Sequence, residues 1–340
     1  MMDLLAFAQG EGLLRGFRAP LLAGFIALAV AWVLTPYVKR AAFRYGAVDD
    51  PKRDDRRIHK EPLARWGGIA IYAGIVVAVL GVLPFAFQKT PAFPPYLVAM
   101  LVIAGGLVVF GMFDDLRSYS AKIQLLVLLA AGTAVQFFGS PVGQVQIKSF
   151  GFGGGQYIAL GWAAIPVTAI YIFVVTKTMD TIDGVDGLAA GIATIAASTL
   201  AVIAAYGGQP RVAIVAAAIA GGSIGFLRHN YNPAKIIMGS SGPYVLGFLM
   251  ACLSIVGAFK TAAAVSLLIP VLVFGLPIFD AFFVVTRRLL SGQPITQADK
   301  RHMHHTLLGK GLSQRQTVWV MYAVAATLAA IGLVVVRANG

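Results

Sequence analysis

Charge is scarce in this chain. Only 12% of its 340 residues are Asp, Glu, Lys or Arg, against 58% hydrophobic, and the mean hydropathy is +0.80. That balance excludes a soluble domain of this size, whose single core could not hide so much apolar surface. Cysteine is scarcer still. Cys252 stands alone inside an apolar run, so an intramolecular disulfide is excluded and the redox compartment is unreadable. The first twenty residues lack a compact apolar segment followed by a small-residue cleavage site, which argues against a signal peptide. No internal repeat stands out, which counts against an inverted-repeat transporter. Glutamate is nearly missing, with two residues against twelve aspartates.

What is present is a series of apolar runs of the length that crosses a bilayer, about 17–25 residues. They predict helices near 20–38, 67–87, 96–113, 123–138, 161–176, 188–206, 212–227, 243–259, 261–286 and 317–336. The expected fold is an all-α polytopic membrane protein of about ten transmembrane helices, one integral domain over residues 1–340. Runs 123–138 and 212–227 are short, and Pro270 and Pro277 interrupt 261–286. The glycine-rich, alternating stretch 139–161 reads as a small extracytoplasmic β-hairpin.

Ten spans place the loops at about 39–66, 114–122, 177–187, 228–242 and 287–316 on one side. These loops hold 20 of the 27 Lys and Arg residues, so the positive-inside bias makes them cytoplasmic and puts both termini outside. Arg15 and Arg18 pull mildly the other way. All five histidines and twelve of the fourteen acids fall in or beside the same loops. Wet loops carry charge in any membrane protein, but ordinary loops would mix Glu and Asp. Here ten of the twelve are loop aspartates, whose short side chains hold a carboxylate near the backbone and suit metal and phosphate chemistry.

Four stretches carry the chemistry. "VDDPKRDDRRIHKEPLARWGG" (48–68) is either a headgroup-binding charge cluster or a mouth for an anionic lipid phosphate, with Arg57, His59, Lys60 and Arg65 as its cations. "FGMFDDLRSYSAK" (110–122) ends an apolar helix on adjacent Asp114 and Asp115, which is costly unless they are hydrated, paired or metal-bound. "MDTIDGVDG" (179–187) spaces Asp180, Asp183 and Asp186 three apart, with Gly184 and Gly187 allowing tight turns. Three such carboxylates need cations, either Mg²⁺ or a basic side chain such as Lys177. In "DKRHMHH" (299–305), His302, His304 and His305 sit beside Lys300 and Arg301. The absence of a nearby cysteine favours donors facing a phosphate or sugar over a zinc site.

Together these pieces, with "FLRHNYNPAKIIMG" and "PIFD", resemble the polyprenyl-phosphate N-acetylhexosamine-1-phosphate transferases, a ten-helix membrane enzyme family. The resemblance runs from about Val48 to Gln316. "HMHH" looks like the branch using UDP-N-acetylglucosamine; the branch making phospho-N-acetylmuramoyl-pentapeptide lipid usually has three consecutive histidines. The resemblance implies transfer of N-acetylglucosamine-1-phosphate to undecaprenyl phosphate at the cytoplasmic face of the bacterial plasma membrane, releasing UMP. It also implies Mg²⁺, with Mn²⁺ as an alternative. UDP-sugar, lipid phosphate and the bilayer are the expected partners; a homodimer is left open and nucleic acid is not expected. By this resemblance Asp114, Asp115, Asp183, His302, His304 and His305 are catalytic, and Asp186, Asn230 and Gly184 face the nucleotide. Lys122 joins Arg57, His59, Lys60 and Arg65 at the lipid phosphate.

The chain departs from the family pattern twice. Ser240 stands after "MG" where most members carry a metal-binding aspartate, and Pro243 replaces a usual serine; Asp180 stands where asparagine is usual. The metal set is therefore read as Asp115, Asp180 and Asp183, with Asp180 restoring the carboxylate lost at Ser240. The rival readings are a degenerate member that binds without turnover and a lipid-phosphate or nucleotide-sugar transporter.

Overall fold

The computed structural model describes residues 16–50, 61–151, 157–257, 274–291 and 302–339. Helices α1 (Arg18–Tyr45), α2 (Gly67–Ala86), α3 (Pro95–Arg117) and α4 (Ala121–Ala134) come first. They are followed by α5 (Ala164–Ile182), α6 (Leu188–Tyr206), α7 (Pro210–Asn230) and α8 (Ser241–Gly257), then α9 (Gly275–Leu290), α10 (Met303–Gly309) and α11 (Gln314–Asn339). Two short antiparallel pairs complete the described elements: β1 (Val48–Asp49) with β2 (Leu63–Ala64), and β3 (Ser149–Gly151) with β4 (Tyr157–Ala159).

Local rules explain the helix ends. Pro95 and Pro210 sit in the first turns of α3 and α7, where a missing N–H costs nothing. Gly46 closes α1 in the left-handed region, its N–H reaching back to the last turn.

Among the described residues, seven helices are long and apolar enough to cross a membrane, and Ala121–Phe137 and Ser241–Gly257 are shorter apolar helices. The molecule is a mostly helical, multi-pass membrane protein. Of the expected ninth span, 261–273 lies outside the described residues. Its remainder, α9, is amphipathic: Asp280, Val284 and Arg288 are buried while Phe279, Phe282 and Phe283 are exposed. Pro277 falls in its first turn, where the ring is tolerated.

The bundle is built around α7 and α8. Helix α7 packs on α1, α2 and α6, and α8 packs on α2, α3 and α5. Every residue of α8 from Ser241 to Val256 is buried, as expected of a helix that is apolar all round. Small residues allow the close approaches. A Cβ on Gly221 would overlap the Gly24 carbonyl and one on Gly225 the Leu28 carbonyl, so α1 and α7 touch backbone to backbone. The start of α8 is clasped the same way, between Gly68 of α2 and Gly111 of α3.

Candidate active site

Chain direction puts the C-terminal ends of α3, α5 and α7 and the N-terminal ends of α2, α6 and α8 at one end of the bundle. The aspartate motifs lie at this end. The β1–β2 pair sets Asp49 opposite Leu63, placing Asp49 beside Arg65. Ile237 donates its N–H to the Ala64 carbonyl, and Gly67 and Gly68 donate to Ile237 and Met238, so the first loop and the α7–α8 connection are zipped together. Trp66 holds φ 75°, costly for a bulky residue, and its indole N–H bonds the Met112 carbonyl.

The two adjacent aspartates of α3 differ sharply. Asp114 is buried and saturated: Oδ1 accepts the Tyr119 N–H at 2.8 Å, and Oδ2 accepts Gln124 at 3.1 Å and the Tyr244 hydroxyl at 3.2 Å. Asp115 is also buried, and its Oδ1 accepts the Ser240 N–H at 2.9 Å and Arg65 at 3.4 Å. Its Oδ2 has no hydrogen-bond partner. Arg65 also binds Asp49. Burial alone would lower the Arg65 pKa, but Asp115, Asp49 and Asp114 outweigh it and hold the guanidinium above its usual value.

Lys177 links the two acidic motifs. Its ammonium lies 2.6 Å from Asp180 Oδ2 and 2.8 Å from Gln124 Oε1, and Gln124 in turn donates to Asp114. Asp183 is the first residue past α5. Burial, then repulsion from Asp180, Asp115 and Asp186, pushes its carboxyl well above the usual range, with Arg65 opposing. Asp183 therefore shares a field with three other carboxylates from two motifs.

Asp186 and Asn230 act as latches. Asp186 Oδ2 accepts Asn232 Nδ2 and the Ala234 N–H, both at 3.0 Å. Asn230 is buried, accepts the Gly187 N–H at 3.0 Å and donates to the Ile236 carbonyl at 3.0 Å. Both bind the "DGVDG" turn to the segment after α7.

The histidine segment docks on the same turn. A Cβ on Gly184 would meet the His304 ring, so the glycine admits the imidazole over the turn. His302 Nδ1 lies 2.8 Å from Asp280 Oδ2, and Asp280 Oδ1 accepts the Met303 N–H at 2.6 Å, capping α10. The rings of His304 and His305 are 4.3 Å apart, and those of His302 and His304 5.7 Å. His304 is buried, with Nδ1 unpartnered. Burial, then His305 and His302, lower its pKa to about 3, with Asp280 opposing.

Neutral His304 has a consequence for stability. Its folded pKa is below its ordinary 6.5, so its contribution is full above 6.5 and is lost as pH falls towards about 3. The melting temperature should drop from pH 7 to pH 5, and His304→Gln should flatten that slope in thermal melts. Equal slopes would contradict a neutral buried ring.

Lys122 is exposed in the first turn of α4 at this same end. Arg57, His59 and Lys60 lie outside the described residues. Sequence reading missed the roles of Asp49, Gln124, Tyr244 and Asp280. Gln124, a lone polar residue early in an apolar run, was a signal that could have been used.

Among the described residues, no three His, Cys, Asp or Glu side chains stand close enough to form a metal cluster in this conformation. The donor chemistry nonetheless fits a hard divalent cation. Asp115 offers a buried, partnerless carboxylate oxygen, and the mutual repulsion centred on Asp183 calls for positive charge. Asp180 is already engaged by Lys177, and Ser240 adds only a neutral hydroxyl.

Comparison with known proteins identifies the family. The model of glycosyl transferase family 4 matches residues 96–258, from α3 to the end of α8. The chain is 35% identical over 306 residues to a probable undecaprenyl-phosphate N-acetylglucosaminyl 1-phosphate transferase of Bacillus subtilis, covering 88% of this chain and 80% of that protein. It is 32% identical over 343 residues to the decaprenyl-phosphate N-acetylglucosaminephosphotransferase of Mycobacterium tuberculosis, covering 91% and 81%. The undecaprenyl-phosphate alpha-N-acetylglucosaminyl 1-phosphate transferase of Escherichia coli is 26% identical over 305 residues, covering 87% and 78%. The chain belongs to the polyprenyl-phosphate N-acetylhexosamine-1-phosphate transferases of glycosyl transferase family 4.

Proposed function

We propose that the chain transfers N-acetylglucosamine-1-phosphate from UDP-N-acetylglucosamine to undecaprenyl phosphate, releasing UMP and starting a cell-envelope glycan. The observation carrying this reading is the meeting of Asp115, Asp183 and the His302–His305 segment at one end of the bundle. The Lys and Arg distribution supports ten spans, outside termini and a site facing the cytoplasm of the bacterial plasma membrane.

In the reaction an oxygen of the lipid phosphate forms a bond to the β-phosphorus of the UDP-sugar. The bond from that phosphorus to the bridging oxygen breaks, and UMP keeps the electron pair. A phosphate monoester has its second pKa near about 6, so the nucleophile is largely dianionic at neutral pH and needs no strong base. Asp114, saturated by three donors, positions the α3 end and the α8 start rather than taking a proton. Arg65 faces incoming phosphate with Asp49 and Asp115 holding its guanidinium in place. Asp280 orients His302 through Nδ1, leaving Nε2 for a phosphate or sugar oxygen. Asp115 and Asp183 would hold Mg²⁺, or Mn²⁺ in its place. That ion would supply charge neutralisation between two anions and stabilise the equatorial oxygens.

The Lys177 ion pair bears on the degenerate-member reading. Lys177 already answers the Asp180 charge, and on our reading the carboxylate missing at Ser240 is then not restored. Ser240→Asp alone should therefore lower the Mg²⁺ concentration for half-maximal activity by about tenfold, since ligand charge sets affinity. An unchanged Mg²⁺ requirement would return the compensating role to Asp180.

The experiment is a product assay with purified protein, undecaprenyl phosphate and Mg²⁺, run with UDP-N-acetylglucosamine and, in parallel, UDP-muramoyl-pentapeptide. UMP release and a lipid-linked sugar with the first donor alone support the proposal. Turnover of the second donor reassigns the substrate, and no turnover with either supports the binding-only reading.

A further inference from the structure

The end of the bundle away from the carboxylates holds a feature the transfer reaction does not use. A cleft of about 590 Å³ lies between Tyr96 in the first turn of α3, segment 140–148, the α6–α7 turn and Val256 at the end of α8. Eighteen residues of helix separate Tyr96 from Asp114, or about 27 Å at the α-helical rise. The cleft is thus close to one bilayer thickness from the reacting groups.

Its cations are Arg211 and Lys148. One terminal nitrogen of Arg211 donates to Thr90 Oγ1 at 3.1 Å and to the Pro91 carbonyl at 2.7 Å, and the guanidinium lies 3.9 Å from the centroid of the Phe87 ring. These contacts hold the planar cation in place at the cleft wall. Lys148 is exposed at the rim. Among the described residues, every Asp and Glu lies at the other end of the molecule. The walls mix amide and hydroxyl groups, from Gln144, Gln209 and Ser140, with the apolar side chains of Val142 and Val256. A fixed guanidinium, a second cation and no local acid recognise a phosphate group. The apolar wall and the interfacial depth suit a phosphate that arrives on a lipid.

We propose that this cleft binds the phosphate headgroup of an anionic lipid in the leaflet opposite the active site. The claim stands apart from the transfer reaction, and its test reads lipid retention rather than turnover. Protein in mixed phosphatidylglycerol and phosphatidylcholine micelles is examined by native mass spectrometry as wild type, Arg211→Gln, Lys148→Gln and the double variant. Wild type should retain phosphatidylglycerol preferentially, with about a fivefold loss for each cation removed. Lys148→Gln guards against misfolding, because that side chain is on the exposed rim. Equal retention by wild type and the double variant would overturn the proposal. A second arm titrates inorganic phosphate alone. If millimolar phosphate stabilises wild type but not Arg211→Gln, and lipid retention is indifferent to both substitutions, the site takes a free anion and the lipid assignment fails.

Discussion

Replacing Asp115 by asparagine should abolish UMP release, by about 10³-fold or more, and leave the protein folded. Loss of one preorganised electrostatic group commonly costs 10²–10³-fold in turnover, and this group would also hold the cation. The fold should survive for a reason visible at the two oxygens. Oδ1 would still accept the Ser240 N–H and Arg65, while the new amide group would replace Oδ2, which has no donor to lose. Asp114→Asn is the contrast. Both of its oxygens already accept hydrogen bonds, so an amide group there must oppose a donor from Tyr119, Gln124 or Tyr244. Activity assays paired with thermal melts separate the two. Asp115→Asn should keep its melting temperature while losing turnover, and Asp114→Asn should lose several degrees. A stable, active Asp115→Asn would remove that residue from the chemistry.

Asp280→Asn should cost about 10–100-fold in turnover, the usual range for a partner that orients a working side chain. Asp280 binds both His302 Nδ1 and the Met303 N–H. Asparagine can keep the backbone bond, but its amide group faces the Nδ1–H and forces the other tautomer or a turned ring. A purely structural role for Asp280 would lower stability without changing the pH dependence of kcat/KM. Control over His302 requires that profile to move, and Asp280→Glu should restore part of the loss.

Much of this architecture was legible in the residues, and the exceptions share a cause. Apolar length alone marks the helices, because lipid demands a fixed span. The alternating stretch 139–161 holds the antiparallel β3–β4 pair. The polar pieces sorted to one end because alternate loops share a membrane face. The partnerships among them could not be read. Tyr244 meets Asp114 across 130 residues, and Lys177 meets Gln124 across 53. Helical periodicity is silent on such pairs. Charge counted along the chain marks Asp180 as a substitute ligand, and the fold adds Lys177 beside it, which no count reveals. Asn230 and Asp186 looked like nucleotide contacts because they are polar and near the turn. Their bonds to Gly187, Ile236, Asn232 and Ala234 also close two loops onto each other, which the sequence does not reveal.

On the proposed reading, carboxylates from separate loops would bring one divalent cation to the diphosphate of the sugar donor. Electron paramagnetic resonance of Mn²⁺ bound to the purified protein, with UDP-N-acetylglucosamine present, tests it most directly. The account predicts one bound ion with hyperfine coupling to phosphorus, lost in both Asp115→Asn and Asp183→Asn. Binding that is undiminished in those variants, or an ion without phosphorus coupling, would contradict it.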